Sequence, residues 1–189
     1  MPETKLPTEN FSETSAILGL LSRIWSKELD AASLQAMRQV PLADHWKAVG
    51  GELPETVDQD ALEVLDVDYC QLLIGPKGHI SPVQSVWVQD RFEGDAVASM
   101  NKYIEMLNGF QACSNFLDHV AVQLQFAGTL YGMMSQTKKP LMQGLATAFA
   151  KDHLQWTFDF FGNVESKAES SFYRSASKVS RQFLFGDDQ

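Results

Sequence analysis

The sequence is poor in the residues that carry chemistry. It holds two cysteines in 189 residues, Cys70 and Cys113, too few and too far apart for a disulfide framework or a CxxC site. Both lie in apolar helical patterns and are expected as buried free thiols in a reducing compartment. There are four histidines, with no HExxH and no Glu three residues ahead of a His, which argues against zinc hydrolases and ferritin-like di-iron bundles. Three of the four follow an aspartate directly: Asp44-His45, Asp118-His119 and Asp152-His153. Adjacent residues on a helix point about 100° apart, so no such pair chelates alone. Surface or helix-end positions are expected for Asp44-His45 and Asp152-His153. Neither GxxxxGK[ST] nor GxGxxG occurs, so no phosphate-cradling loop is predicted. No Ser/His/Asp or Cys/His arrangement stands out. The expectation is a protein that is not an enzyme, with no catalytic residue, no metal and no cofactor.

Long apolar runs are missing too. None approaches the ~20 residues of a membrane span. The opening MPETKLPTENFSET lacks the basic and apolar regions of an export signal, so a cytoplasmic location is expected. No internal repeat or low-complexity segment is found. Basic charge is scarce: Lys and Arg number 15 against 24 Asp and Glu, a net charge of -9. The excess is concentrated, with thirteen acids against five bases in residues 1–68 and seven acids and no base from Glu52 to Asp68. Such a surface repels nucleic-acid phosphates and anionic lipid and attracts a basic segment, although a solvated face that keeps the protein soluble has the same composition.

What is present is helical periodicity. Asn10 and Glu13 form a capping pair ahead of Ile17, Leu18, Leu21, Ile24 and Trp25 on one face. A short helix starts at Asp30 with Leu34 and Met37 in phase and stops by Pro41. Trp46 and Val49 belong to another short turn that stops at Gly50-Gly51. From Thr56, Leu62, Leu65, Tyr69, Leu72 and Leu73 recur every three or four residues until Gly75-Pro76. Residues 75–92 have no helical period and are predicted as a long loop and hinge, with at most an extended piece at Val86-Trp87-Val88. Helix returns with Val97, Met100, Ile104 and Leu107. Asn115 is placed to cap a helix through Val120, Leu124, Ala127, Tyr131 and Met134 to Lys138-Lys139-Pro140. Leu145, Phe149, Trp156 and Phe160 carry the next, ended by Gly162-Asn163. A last helix from about Ser166 holds Phe172, Tyr173, Val179 and Phe183. The pattern predicts an all-α, single-domain helical bundle: an N-terminal half 1–74, a hinge loop 75–92 and a C-terminal half 93–189.

Two segments carry more than periodicity. Tyr69-Cys70-Gln71-Leu72-Leu73-Ile74-Gly75-Pro76, followed by Pro82, Ser85 and Trp87, resembles the signature of the TorD/DmsD/NarJ family of redox-enzyme maturation chaperones. That signature has an aromatic, a Leu-Phe pair and Gly-Pro, then a Pro-x-Glu-Ser-x-aromatic loop. Asn115-Phe116-Leu117-Asp118-His119 is similar to the family's Glu-Pro-x-Asp-His element. This chain departs in having Leu73 for Phe, Gln84 for Glu and Asn115-Phe116 for Glu-Pro.

The resemblance implies a cytoplasmic chaperone that binds the twin-arginine signal peptide, or another terminal segment, of a molybdenum-cofactor reductase. It would hold that client for cofactor insertion before export. Separately from the resemblance, the long loop 75–92 would permit a domain-swapped homodimer. Carried over residue by residue, the peptide-binding positions are Tyr69, Leu72, Leu73, Pro82, Ser85, Trp87, Asp118 and His119. An apolar groove flanked by carboxylates suits an Arg pair beside an apolar run, with Asp118, Asp66 and Asp68 as sources of charge. Leucines and an aromatic at helical spacing equally suit a core face, and Asp118 equally suits a first-turn acid. A helical adaptor, or a small-molecule or nucleotide-binding protein, is the alternative function.

Overall fold

A computed structural model describes residues 2–7, 9–107, 109–137 and 140–186 of the chain. Lys138 and Lys139, expected to end a helix, and Met1 and Thr8 of the opening stretch lie outside the described residues. Ten α-helices and no strand occur among the described residues: α1 (Phe11–Ser26), α2 (Ala31–Met37), α3 (Leu42–Ala48), α4 (Gln59–Tyr69), α5 (Gln84–Gln89), α6 (Asp95–Met106), α7 (Val120–Thr137), α8 (Pro140–His153), α9 (Thr157–Lys167) and α10 (Ser171–Phe185). A π-helical turn, Cys70–Ile74, continues α4 and closes with the Gly75 amide donating to the Cys70 carbonyl at 2.7 Å. The protein is all-α, as its periodicity predicts.

The helix starts follow from side-chain chemistry. Asn10 Oδ1 accepts from the Glu13 amide at 3.2 Å and its Nδ2 donates to the Glu13 carboxylate, a reciprocal cap on α1. Asp30 accepts from the Ser33 amide at 2.8 Å and Asp58 from the Ala61 amide at 2.9 Å, fixing α2 and α4.

The chain divides into two compact units that alternate along the sequence. Unit 1 holds residues 1–26, 82–158 and 183–186; unit 2 holds 27–81 and 159–182, with 187–189 outside the described residues. The units therefore do not follow the linear halves 1–74 and 93–189.

In unit 1, α7 is apolar nearly all round, and Val120, Ala121, Val122, Leu124, Phe126 and Leu130 are wholly buried. Helix α1 lies along it. Gly128 permits the approach, because a Cβ there would sit 3.3 Å from both Leu18 Cβ and the Ser15 carbonyl. Ser15 Oγ donates to the Gly128 carbonyl at 2.7 Å and Ser22 Oγ to the Ala121 carbonyl at 2.8 Å, so the hydroxyls at the seam are satisfied. Phe126, Phe149 and Tyr103 form an aromatic cluster with centroids 4.6–6.1 Å apart.

In unit 2, Trp46 stacks on Phe172 at 6.2 Å and Tyr69 meets Tyr173 at 5.8 Å. Leu34, Leu65, Leu72, Leu73, Phe160 and Phe161 complete its core. Asp68 is buried and accepts from the Glu169 amide (3.2 Å), the Ser170 amide (2.8 Å) and Ser170 Oγ (2.5 Å). One carboxylate from α4 thus satisfies the free donors ahead of α10.

Several boundaries differ from expectation. Residues 84–89, expected as loop with an extended piece at most, form α5; Asp90 ends it in the left-handed region at φ 54°. Asn115 does not cap α7, which begins at Val120. The helix expected to run from Leu145 through Phe160 is two, α8 and α9. The break is closed by Thr157 Oγ1 donating to the Leu154 carbonyl at 2.6 Å. Gly162-Asn163 does not end α9, because Asn163 Nδ2 donates back to the Asp159 carbonyl at 2.8 Å. The last helix starts at Ser171 rather than about Ser166, where Ser170 Oγ accepts from the Tyr173 amide. The cysteines also differ: Cys113 is exposed in the segment after α6. Cys70 is half-buried, its thiol 3.5 Å from Glu28 and pushed up by burial and then by that carboxylate.

Candidate functional site

The eight residues singled out by the resemblance fall in both units. Tyr69, Leu72 and Leu73 belong to unit 2, where they are buried in its core. Pro82, Ser85, Trp87, Asp118 and His119 belong to unit 1, and there the structure joins two segments far apart in sequence.

The joint is built on backbone first. Val83 and His119 form an isolated antiparallel bridge. The Gln84 amide donates to the Asp118 carbonyl at 3.0 Å and the Val120 amide to the Pro82 carbonyl at 2.8 Å. Side chains then lock it. Asp118 is only 1% exposed, and its Oδ2 accepts from the Ser85 amide at 2.9 Å and from Ser85 Oγ at 2.5 Å. Ser85 Oγ in turn accepts from the Gly94 amide at 3.0 Å. One carboxylate therefore fixes the start of α5 directly and the start of α6 through a relayed hydroxyl.

His119 is buried, and its Nδ1 accepts from the Ala121 amide at 3.1 Å, which makes it a neutral imidazole with the proton on Nε2. Burial holds its pKa down at about 4, against the opposing pull of Asp118.

A second polar cluster lies in the same unit, and sequence reasoning missed it. Gln84 Nε2 donates to the Asp152 carbonyl at 2.8 Å, while its Oε1 accepts from Gln123 Nε2 at 2.6 Å. The same Oε1 lies 2.9 Å from His153 Nδ1. A carbonyl oxygen only accepts, so Nδ1 carries the proton and Nε2 accepts from Ser99 Oγ at 2.9 Å. Trp156 Nε1 donates to Gln123 Oε1 at 2.8 Å, and Tyr103 donates to Asp152 Oδ2 at 2.7 Å. His153 is therefore buried rather than at the surface, and burial lowers its pKa to about 4 as well. His45 is exposed, as expected. Gln123 was the available signal: a polar residue inside the apolar run Val120-Ala121-Val122-Gln123-Leu124 implies a buried partner.

Several apolar side chains stay exposed near these anchors, beside the exposed charges of Asp90, Arg91 and Glu93. Trp87 is half-buried, its ring 6.1 Å from that of Trp156. Phe92 and Phe116 are 60% and 52% exposed and touch each other at 6.5 Å between centroids, and Val88 is also exposed. Asp90 and Glu93, at φ 54° and 55°, hold the turn carrying Phe92 in a left-handed geometry that costs non-glycine residues energy. Among the described residues no group of three or more His, Cys, Asp or Glu is placed to hold a metal ion.

The family described as the nitrate reductase delta subunit matches residues 30–162, more than half of the chain and including both joined segments. The chain belongs to that family. Its relatives include the chaperone protein YcdY of Escherichia coli (strain K12), 25% identical over 149 residues that cover 78% of this chain and 77% of that protein. Another is the chaperone protein TorD of Shewanella pealeana, 25% identical over 199 residues, covering 92% and 87%. The resemblance to the TorD/DmsD/NarJ family thus rests on these matches as well as on the two joined segments, and both relatives are named chaperones. Among its described residues no helix is long and apolar enough to cross a membrane.

Proposed function

We propose that this chain is a cytoplasmic chaperone that binds the twin-arginine signal peptide, or another terminal segment, of a molybdenum-cofactor reductase and holds it for cofactor insertion before export. The observation that carries this is the Asp118–Ser85 lock beneath an exposed pair of aromatics. A protein gains nothing for its own fold by leaving Phe92 more than half exposed on a strained, well-anchored turn and Phe116 more than half exposed against it. Rigid aromatic side chains on a preorganised surface are what an apolar peptide run needs, because little ordering entropy remains to be lost on binding.

The roles divide by burial. Pro82 and Trp87, with Val88, Phe92 and Phe116, supply the contact surface of unit 1. Ser85, Asp118 and His119 position it from beneath. Tyr69, Leu72 and Leu73 shape unit 2 from its core.

The test is calorimetry with a synthetic peptide carrying an Arg pair beside an apolar run. The unaltered chain is expected to bind it, more weakly as salt is added. Phe116→Ser, exposed in the free protein, should weaken binding at least ten-fold with no change in the melting temperature. Absence of binding, or equal affinity of the Phe116→Ser chain, refutes the proposal.

A further inference from the structure

Helix α4 has a face that the fold does not use. Its inward side buries Leu65, Asp68 and Tyr69 within unit 2. Its outward side carries Asp60, Glu63, Val64 and Val67, the i, i+3, i+4, i+7 spacing of a single helical stripe. Val64 and Val67 are 60% and 48% exposed. Valine loses side-chain freedom in a helix, so at solvent-facing positions it costs helix stability without the compensating burial. The stripe forms one wall of an open groove of about 500 Å³, completed by Asp68, Glu169 and Ser170 at the start of α10.

The charge on this groove has one sign. Four of its seven lining residues are carboxylates and none is Lys or Arg. Nearby bases are occupied elsewhere in the unit: Arg174 donates to the Ala168 and Glu169 carbonyls, and Lys167 to the Gly78 carbonyl. The α10 start does not invite an anion either, because Asp68 already fills its amide donors. That engagement also removes Asp68 from the carboxylates free to meet a ligand, leaving Asp60, Glu63 and Glu169 on the rim.

We infer that this groove is a docking surface for a basic segment of the client peptide, with an arginine pair facing Asp60 and Glu63 and aliphatic stems lying on Val64 and Val67. The inference rests on the proposed peptide-binding function and locates its electrostatic part on α4. Arginine suits the groove because its methylene stem covers apolar surface while the guanidinium stays among carboxylates in water. The rim is exposed, so each carboxylate contributes modestly and in a salt-dependent way, about two- to five-fold in affinity.

The experiment compares the full chain with its Asp60→Asn/Glu63→Gln and Val64→Ser/Val67→Ser variants, titrated with the Arg-pair peptide and with the same peptide bearing Gln-Gln. The expected result is a roughly ten-fold loss for Asp60→Asn/Glu63→Gln toward the Arg-pair peptide, erased at high salt, with no change toward the Gln-Gln peptide. Val64→Ser/Val67→Ser should weaken the Arg-pair peptide several-fold at any salt. Thermal melts should stay level, since all four side chains face solvent. If both variants bind the Arg-pair peptide as the unaltered chain does while Phe116→Ser does not, the groove is overturned and the proposed function stands. If the unaltered chain binds neither peptide, both fall.

Discussion

Removing the Asp118 carboxylate tests whether the two joined segments are held by one group. As a first-turn acid near the surface, Asp118 would cost about 1 kcal/mol to replace. The structure raises that figure. Asp118 is 1% exposed and accepts from both the amide and the hydroxyl of Ser85. In Asp118→Ala both donors stay buried without an acceptor, at about 1–3 kcal/mol each. The expected loss is therefore ~3 kcal/mol, or roughly 6–12 °C in melting temperature for a chain of this size. Asp118→Asn keeps an oxygen acceptor and loses only the charge, so about 1–2 kcal/mol is expected.

The pairing is read by a double-mutant cycle with Ser85→Ala, where a coupling of at least ~1 kcal/mol marks direct interaction. Hydrogen exchange supplies the local readout. The Ser85 and Gly94 amides should lose protection in Asp118→Ala, the second because its acceptor, Ser85 Oγ, is no longer held. An Asp118→Ala chain that melts with the unaltered protein and keeps both amides protected would refute the lock.

Two further predictions concern the buried histidines. Burial sets His119 and His153 at about 4 in the folded chain, against 6.5 for the ordinary group. The unfolded chain therefore takes up protons first, and stability is full above about pH 6.5, falls as pH drops from 6.5 to about 4, and levels off below. Each group accounts for ~3 kcal/mol across that window. Denaturant melts from pH 7.5 to 4 measure it, and a flat profile contradicts the buried neutral state. Gln84→Glu replaces the donor to the Asp152 carbonyl with an oxygen and sets a carboxylate 2.9 Å from His153 Nδ1. The chain should be destabilised by about 1–3 kcal/mol, and the His153 pKa, followed by NMR, should rise from about 4 rather than stay fixed.

The helical class and the starts of α1 and α2 were legible because they depend on local chemistry. Asn10 with Glu13, Asp30 and Asp58 each cap a helix through residues three positions away. What periodicity could not supply was anything decided by partners distant in sequence. The 84–89 segment has too few residues and too much polarity to signal a helix. It forms one because Asp118, 33 positions on, supplies the acceptor at its start. The expected helix end at Gly162-Asn163 and start near Ser166 were misplaced for different reasons. Asn163 is compensated within its turn, whereas the α10 start is fixed by Asp68, about a hundred residues earlier.

The candidate site shows the same division between local and distant causes. The family resemblance picked out Asp118 and Ser85 as members of one functional pattern, and the structure joins them. Their burial changes what they can do. A carboxylate whose acceptor oxygen is filled by two internal donors positions a surface rather than meeting a ligand. Of the exposed residues beside it, Phe92 has no period and no motif to mark it, and Phe116 lies within the motif but stands there only as a departure from it. Phe116 also occupies the place where the family pattern has proline. A proline there would have offered a small ring to solvent; phenylalanine adds a large apolar face that pairs with Phe92. The departure from the motif thus enlarges the apolar surface held by the Asp118 lock, while two of the seven acids of residues 52–68, Asp60 and Glu63, lie separately on the outward face of α4.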